Sequence, residues 1–129
     1  MKSNDTPEKL VEAGLRHYDF NNYLEAIKEY DKAIKLNPNY VNAWYNKALS
    51  LDALQRYEEA IEAYNRVIVI ELNYTNAWYN KGLAFSSLKK YKETIEAYDK
   101  AISIEPNFAN AWYVKGLVFD GLNHYSLYF

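Results

Sequence analysis

The sequence predicts an all-α protein built from about three and a half 34-residue helix-turn-helix repeats. Trp44, Trp78 and Trp112 are spaced by 78 − 44 = 34 and 112 − 78 = 34 residues, inside the similar strings NAWYNKA, NAWYNKG and NAWYVKG. Within each repeat, apolar residues also recur at helical spacing. The predicted repeats span residues 7–40, 41–74 and 75–108, with a truncated fourth at 109–129, all in a single domain 1–129.

Each repeat is predicted to contain two helices whose apolar faces cover each other. In the first helix Trp44, Ala48 and Leu51 stand at i, i+4 and i+7, which places them on one face. The second helix carries a matching stripe, which consists of Tyr57, Ala60, Ile61, Tyr64, Val67 and Ile68. Small residues at the slots of Gly14, Ala48 and Gly82 let the helix axes approach closely, while tyrosines fill the remaining volume.

Prolines and one capping residue predict the helix boundaries. Pro38 and Pro106 are expected just after the second helices, because proline lacks the amide donor and restricts the residue before it. Near the start of the chain, Asp5 or Thr6 can cap a helix whose first turn contains Pro7.

Composition argues against several classes of function. The net charge of −2 creates no field that favours nucleic acid or an anionic membrane. The sequence contains no cysteine, no secretory signal and no apolar run long enough to span a membrane, so we expect a soluble cytoplasmic protein. The two histidines, His17 and His124, lie near opposite ends of the stack, and no phosphate-loop, zinc-protease or nucleophile-elbow motif occurs. We therefore expect neither catalysis nor a metal or cofactor.

The pattern Trp44-x2-Lys47-Ala48-x2-Leu51, followed by Tyr57 and Ala60-x3-Tyr64, resembles the tetratricopeptide repeat. The resemblance covers roughly residues 7 to 122, and Pro38 and Pro106 separate the units as that family's prolines do. It implies an α-α superhelix, or solenoid, whose first helices line a concave groove for a peptide or a partner helix. The departures are mild and consist of Lys47, Lys81 and Lys115 for the usual leucine, Leu72 for a proline, and Thr94 for an alanine.

A second stripe on the first helices lies beside the tryptophan stripe, and we call it the tyrosine–asparagine face. Tyrosine offers a large apolar surface with a polar tip, and asparagine can donate to and accept from a peptide backbone. The alternative is that the tyrosines pack between units and the asparagines cap helices or face water. The predicted peptide-binding residues are Asn42, Tyr45, Asn46, Leu49, Asp52, Asn76, Tyr79, Asn80, Leu83, Ser86, Asn110, Tyr113 and Leu117.

The charge of this face favours a neutral, apolar or basic guest. Some members of the family hold a chaperone's C-terminal carboxylate with lysine, arginine and asparagine, but here those slots hold Val11, Asn76 and Asn80, and only Asn46 matches. Chaperone-tail binding is therefore disfavoured. The acidic residues on or near the face are Glu8, Glu12, Asp19, Asp52 and Asp120.

The fourth repeat predicts a first helix from Ala109 to about Leu122 without a full second helix to cover it. Large side chains left in water are costly, so this end is expected to be covered. Either the chain self-associates there, as a structural or self-assembling protein would, or the surface is the cut end of a longer repeat array. The candidate self-association residues are Trp112, Phe119, Tyr125, Leu127 and Phe129.

Overall fold

A computed structural model describes the backbone of residues 4–126 and the side chains of residues 4–118. The described part consists of α-helices and contains no strand. The helices α1, α3, α5 and α7 begin at residues 7, 41, 75 and 109, which confirms the 34-residue helical period. The helices are α1 (Pro7–Asp19), α2 (Tyr23–Leu36), α3 (Val41–Ala53), α4 (Tyr57–Ile70), α5 (Thr75–Ser87), α6 (Tyr91–Ile104) and α7 (Ala109–Ser126).

The described chain forms two compact units that divide between Leu72 and Asn73. Unit 1 contains α1 to α4, in which α2 packs on both α1 and α3, and α3 packs on α4. Unit 2 contains α5 to α7, in which α6 packs on both α5 and α7. The assignment of all repeats to a single domain stays a prediction.

Local sequence explains where the helices begin and end. The Thr6 hydroxyl accepts a hydrogen bond from the Lys9 amide at 3.2 Å, so Thr6 rather than Asp5 caps α1. The helices α2 and α6 end at Leu36 and Ile104, two residues before Pro38 and Pro106, as predicted. The helix α7 continues to Ser126, past the expected end near Leu122.

The helices α1, α3 and α5 each end in the same tight turn. Asn21, Gln55 and Lys89 adopt positive φ angles of 62°, 60° and 60°, the conformation that often ends a helix and usually belongs to glycine. In α3 the Arg56 amide bonds to the Leu51 carbonyl at 2.9 Å across this turn. The turn reverses the chain, so that the second helix returns along the first.

The core of each repeat is a fully buried tyrosine packed against a small residue on the facing helix. Tyr30, Tyr64 and Tyr98 are all 0% exposed. A Cβ atom added to Gly82 would lie 2.5 Å from Cε1 of Tyr98, so only glycine fits between α5 and α6. Gly14 has the same relation to Tyr30. This fit sets the distance between the paired helices.

Gly82→Ala is expected to destabilise the protein by about 1–3 kcal/mol, because the added methyl group must displace the buried Tyr98 ring. Gly116→Ala is the matched control, because a Cβ there has open space within 4 Å. The control should be neutral or stabilising by up to about 1 kcal/mol, since alanine is the better helix former. Urea unfolding followed by circular dichroism measures both. Equal effects of the two substitutions would contradict this packing.

Candidate functional site

Two tyrosines of the tyrosine–asparagine face pack against buried core tyrosines of their own units. The Tyr45 ring lies 6.1 Å from the Tyr64 ring between centroids, and the Tyr79 ring lies 5.7 Å from that of Tyr98. Phe108 also contacts Tyr79 edge-on, with centroids 5.0 Å apart. Tyr45 and Tyr79 are both half-buried, so part of each ring completes the packing of its own unit and part remains accessible.

The remaining residues of this face differ in exposure. The side-chain amide of Asn46 donates to the Asn42 carbonyl at 2.8 Å, so part of its hydrogen-bonding capacity is used within α3. On α7, Tyr113 and Leu117 are 70% and 53% exposed, much more than their equivalents on α3 and α5. In unit 1 the face comprises residues of α3, and in unit 2 it comprises residues of α5 and α7. The exposed members are Asn42, Asn76 and Asn110, and the half-buried ones are Asn46, Leu49, Asp52, Asn80, Leu83 and Ser86.

Asp52 is the one charged residue among the predicted binding positions, and it is bound to the core of unit 1. The Tyr64 hydroxyl donates a short hydrogen bond to Oδ2 of Asp52, while Oδ1 is buried without a hydrogen-bond partner. Burial raises the pKa of Asp52, and the Tyr64 hydrogen bond only partly offsets that effect. Burial also raises the pKa of Tyr64, and the Asp52 charge raises it further. The pair therefore consists of a phenol and a carboxyl group whose ionised forms are both poorly solvated.

A crevice on the opposite side of α3 was not predicted. Trp44 lies at its floor, with the Lys47 ammonium 5.5 Å and the Arg66 guanidinium 5.3 Å from the indole centroid. Lys47 also forms a 2.7 Å ion pair with Asp31 of α2. Lysine in the slot where leucine is usual thus covers the tryptophan and binds the neighbouring helix at once. The repeated lysine at this position was the feature of the sequence that could have indicated the crevice. The sequence did not show that Asp31 is the ion-pair partner of Lys47.

The equivalent crevice in unit 2 is larger, at about 680 Å³ compared with about 440 Å³. It lies between α5 and α6, with the Lys81 ammonium 4.9 Å from the Trp78 centroid. Burial lowers the pKa of Lys81, although Glu96 counteracts this effect. Both crevices already hold lysine side chains of the chain itself, so they are poorer candidates for a binding site than the tyrosine–asparagine face.

Comparison with known families identifies the architecture. The tetratricopeptide repeat family matches residues 11–74 and again residues 75–108. The chain belongs to the tetratricopeptide repeat family. Its arrangement of seven described helices without strands is that family's all-α helical repeat fold. No relative among curated proteins matches this chain.

Several solved tetratricopeptide structures resemble this chain over most of its length. MamA is 30% identical with a TM-score of 0.87, covering 91% of this chain and 68% of MamA. The first tetratricopeptide domain of Spaghetti (RPAP3) was solved bound to the HSP90 peptide SRMEEVD. It is 25% identical with a TM-score of 0.86, and the match covers 91% of this chain and 93% of that domain. The Sgt2 tetratricopeptide domain from Aspergillus fumigatus is 25% identical with a TM-score of 0.85, and the match covers 93% of this chain and 81% of the Sgt2 chain.

The predicted self-association residues of this tetratricopeptide chain are described only in part. Trp112 is 51% exposed, whereas Trp44 and Trp78 are half-buried beneath their second helices. Its indole nitrogen still donates to the Pro106 carbonyl at 2.9 Å. The side chains of Phe119 and Tyr125, and all of Leu127 and Phe129, lie outside the described residues.

The described residues contain neither a metal-ligand cluster nor a membrane-spanning helix. Among them, no group of three or more histidine, cysteine, aspartate or glutamate side chains comes together as metal ligands would. None of the helices in the same region is both long and apolar enough to cross a bilayer.

Asp52→Asn is expected to raise the free energy of unfolding at neutral pH. A carboxyl whose pKa is higher in the folded than in the unfolded state weakens folding at high pH, and this penalty disappears below the ordinary aspartate pKa. The gain should therefore shrink as the pH falls toward about 4 and be absent below it. Urea unfolding at a series of pH values measures it.

Asp31→Asn is the matched control, because Asp31 is an exposed aspartate in the same unit and forms only a surface ion pair. This control is expected to show no stabilisation at neutral pH. A stability gain for Asp52→Asn that is independent of pH, or the absence of any gain, would contradict the burial of this carboxylate.

Proposed function

We propose that this chain is a protein-interaction module that binds an extended peptide, or a partner helix, along the tyrosine–asparagine face. The observation that carries the proposal is the anchoring of Tyr45 and Tyr79, each half-buried on a tyrosine of its own core. A ring that is already held in place loses little conformational entropy when a ligand packs on it. Exposed Asn42 accompanies Tyr45 in unit 1, exposed Asn76 accompanies Tyr79 in unit 2, and each can bond to the backbone of a guest.

The charges of the face favour a neutral, apolar or basic guest. The tyrosine–asparagine face carries no lysine or arginine among its predicted binding residues, while Glu8, Glu12 and Asp19 are exposed on α1. The RPAP3 domain was solved with a peptide that contains two glutamates and an aspartate. A similar acidic peptide would meet like charges here, which disfavours its binding.

Replacing Tyr45, Asn46, Tyr79 and Asn80 together with alanine is expected to abolish peptide capture, because it removes the anchored rings and their polar neighbours. The measurement is a selection of random displayed 12-residue peptides on the immobilised chain. The native chain should enrich a family of related peptides, and the variant should enrich none. Circular dichroism and light scattering check that helicity and oligomer size are retained.

The control variant carries alanine at four exposed positions on the second helices, namely Glu25, Lys28, Glu58 and Lys92. It should enrich the same peptides as the native chain. Retained enrichment by the Tyr45, Asn46, Tyr79 and Asn80 variant would contradict binding along this face.

The second candidate function is self-association through α7, and the exposure of Trp112, Tyr113 and Leu117 favours it. Covering two or three large apolar side chains stabilises by roughly 1.5–3 kcal/mol each, which is enough to support a weak dimer. Trp112→Ala is expected to shift the protein toward monomer, which light scattering over micromolar concentrations measures. Trp44 is left unchanged in this variant. A native chain that remains strictly monomeric over that range would exclude this candidate.

A further inference from the structure

The carboxylate of Asp52 is the one charged group of the predicted binding residues, and its hydrogen bonding is incomplete. Oδ2 accepts from the Tyr64 hydroxyl, but Oδ1 is buried and has no partner. A buried carboxylate oxygen without a donor is unfavourable, and native proteins rarely retain one without a reason. The site therefore lacks one hydrogen-bond donor, and an ionised donor would fit it best.

Asp52 belongs to a group of tyrosines in unit 1 that interact with it or with one another. The Tyr45 and Tyr64 rings lie 6.1 Å apart at an angle of 58°, and Tyr64 is the residue that bonds Asp52. Burial, together with the charges of Tyr23, Asp52 and Asp19, raises the pKa of Tyr18, which places Tyr18 within electrostatic range of Asp52. Carboxylate and aromatic faces both attract a cation, because each presents negative potential.

The other repeats show that the fold does not require this carboxylate. The slot of Asp52 holds Tyr18 one repeat earlier (52 − 34 = 18) and Ser86 one repeat later (52 + 34 = 86). The equivalents of Tyr64 are Tyr30 and Tyr98, and the buried hydroxyl of Tyr98 has no hydrogen-bond partner. Packing of the core tyrosine is thus possible without an aspartate above it.

We propose that Asp52, with the rings of Tyr18 and Tyr45, binds a lysine or arginine side chain of the guest peptide. This inference rests on the proposed function and deepens it by naming the side chain that is recognised. The ammonium or guanidinium group donates to Oδ1 of Asp52, and its alkyl chain lies against the tyrosine rings. Oδ1 is buried although Asp52 as a whole is half-exposed, so binding of the cation requires the Asp52 side chain to change rotamer.

The surroundings fit a basic side chain better than a metal ion. Within the described residues no cluster of three metal-ligating side chains exists, so Asp52 lacks the additional ligands that a cation such as Ca²⁺ requires. Asp52 and the exposed Asp19 of α1 both act on Tyr18, so negative charge accumulates at this end of unit 1. Their field attracts a basic peptide and repels an acidic one.

The test compares peptide selections on the native chain, on Asp52→Asn and on Asp31→Asn, using random displayed 12-residue peptides. The native chain and Asp31→Asn are expected to enrich peptides with lysine or arginine at one fixed position. Asp52→Asn should enrich peptides without that preference. Asp31 is an exposed aspartate of the same unit outside the tyrosine–asparagine face, so it controls for the change in net charge.

A quantitative test follows with one selected peptide and its Lys→Gln or Arg→Gln analogue. The native chain should bind the glutamine analogue roughly tenfold more weakly, which is the usual effect of losing one charge-assisted hydrogen bond. Asp52→Asn should bind the two peptides equally. Asp52→Ser provides a second variant. Serine is the residue that α5 carries at the equivalent position, so unit 2 shows that the repeat folds with it.

The outcomes separate this inference from the proposed function. Selected peptides that depend on Tyr45 and Asn46 but show no basic preference would overturn the inference and leave the proposed function intact. A basic preference that survives in both Asp52→Asn and Asp52→Ser would also overturn it. A folded native chain that enriches no peptide would overturn the proposed function, and the inference with it.

Discussion

The close approach of paired helices is the constraint on which the rest of this structure depends. Tyr30, Tyr64 and Tyr98 are fully buried, and each packs against a facing helix whose small residue allows the approach. Gly14 and Gly82 leave no room for a methyl group, so the spacing of those pairs is fixed by the thickness of a phenol ring. The spacing and rotation of the paired helices determine which residues are buried between them and which remain at the surface.

The two sides of the first helices differ because of this arrangement. On one side, Trp44 and Trp78 are covered by lysine and by the second helix, and Lys47 binds Asp31 at 2.7 Å. On α7, Lys115 lies over the more exposed Trp112 and binds Asp99 at 2.5 Å. Tyr45 rests on a core tyrosine on the other side, but keeps an accessible surface. The first side is used for packing within the units, and the second is the side on which we propose that another polypeptide binds.

Asp52 departs from this division, because it belongs to the tyrosine–asparagine face and is also hydrogen-bonded to the core tyrosine Tyr64. In most positions of the fold, local preference, packing and electrostatics agree, as expected of a natural sequence. A poorly solvated carboxylate with an unpartnered oxygen breaks that agreement. Such conflicts concentrate where proteins bind or react, and this one occurs in the middle of the predicted binding residues of unit 1.

The sequence by itself determined the helical repeat. Both the 34-residue period and the 3.6-residue spacing of apolar residues are visible in the order of residues along the chain. It also predicted the pairing of small residues with tyrosines and the ends of α2 and α6 at Pro38 and Pro106. Only the tertiary structure decided that Asp52 bonds Tyr64 and that Lys47 reaches Asp31. Such contacts join residues of different helices, so they depend on interhelical distances and side-chain rotamers that no local pattern contains.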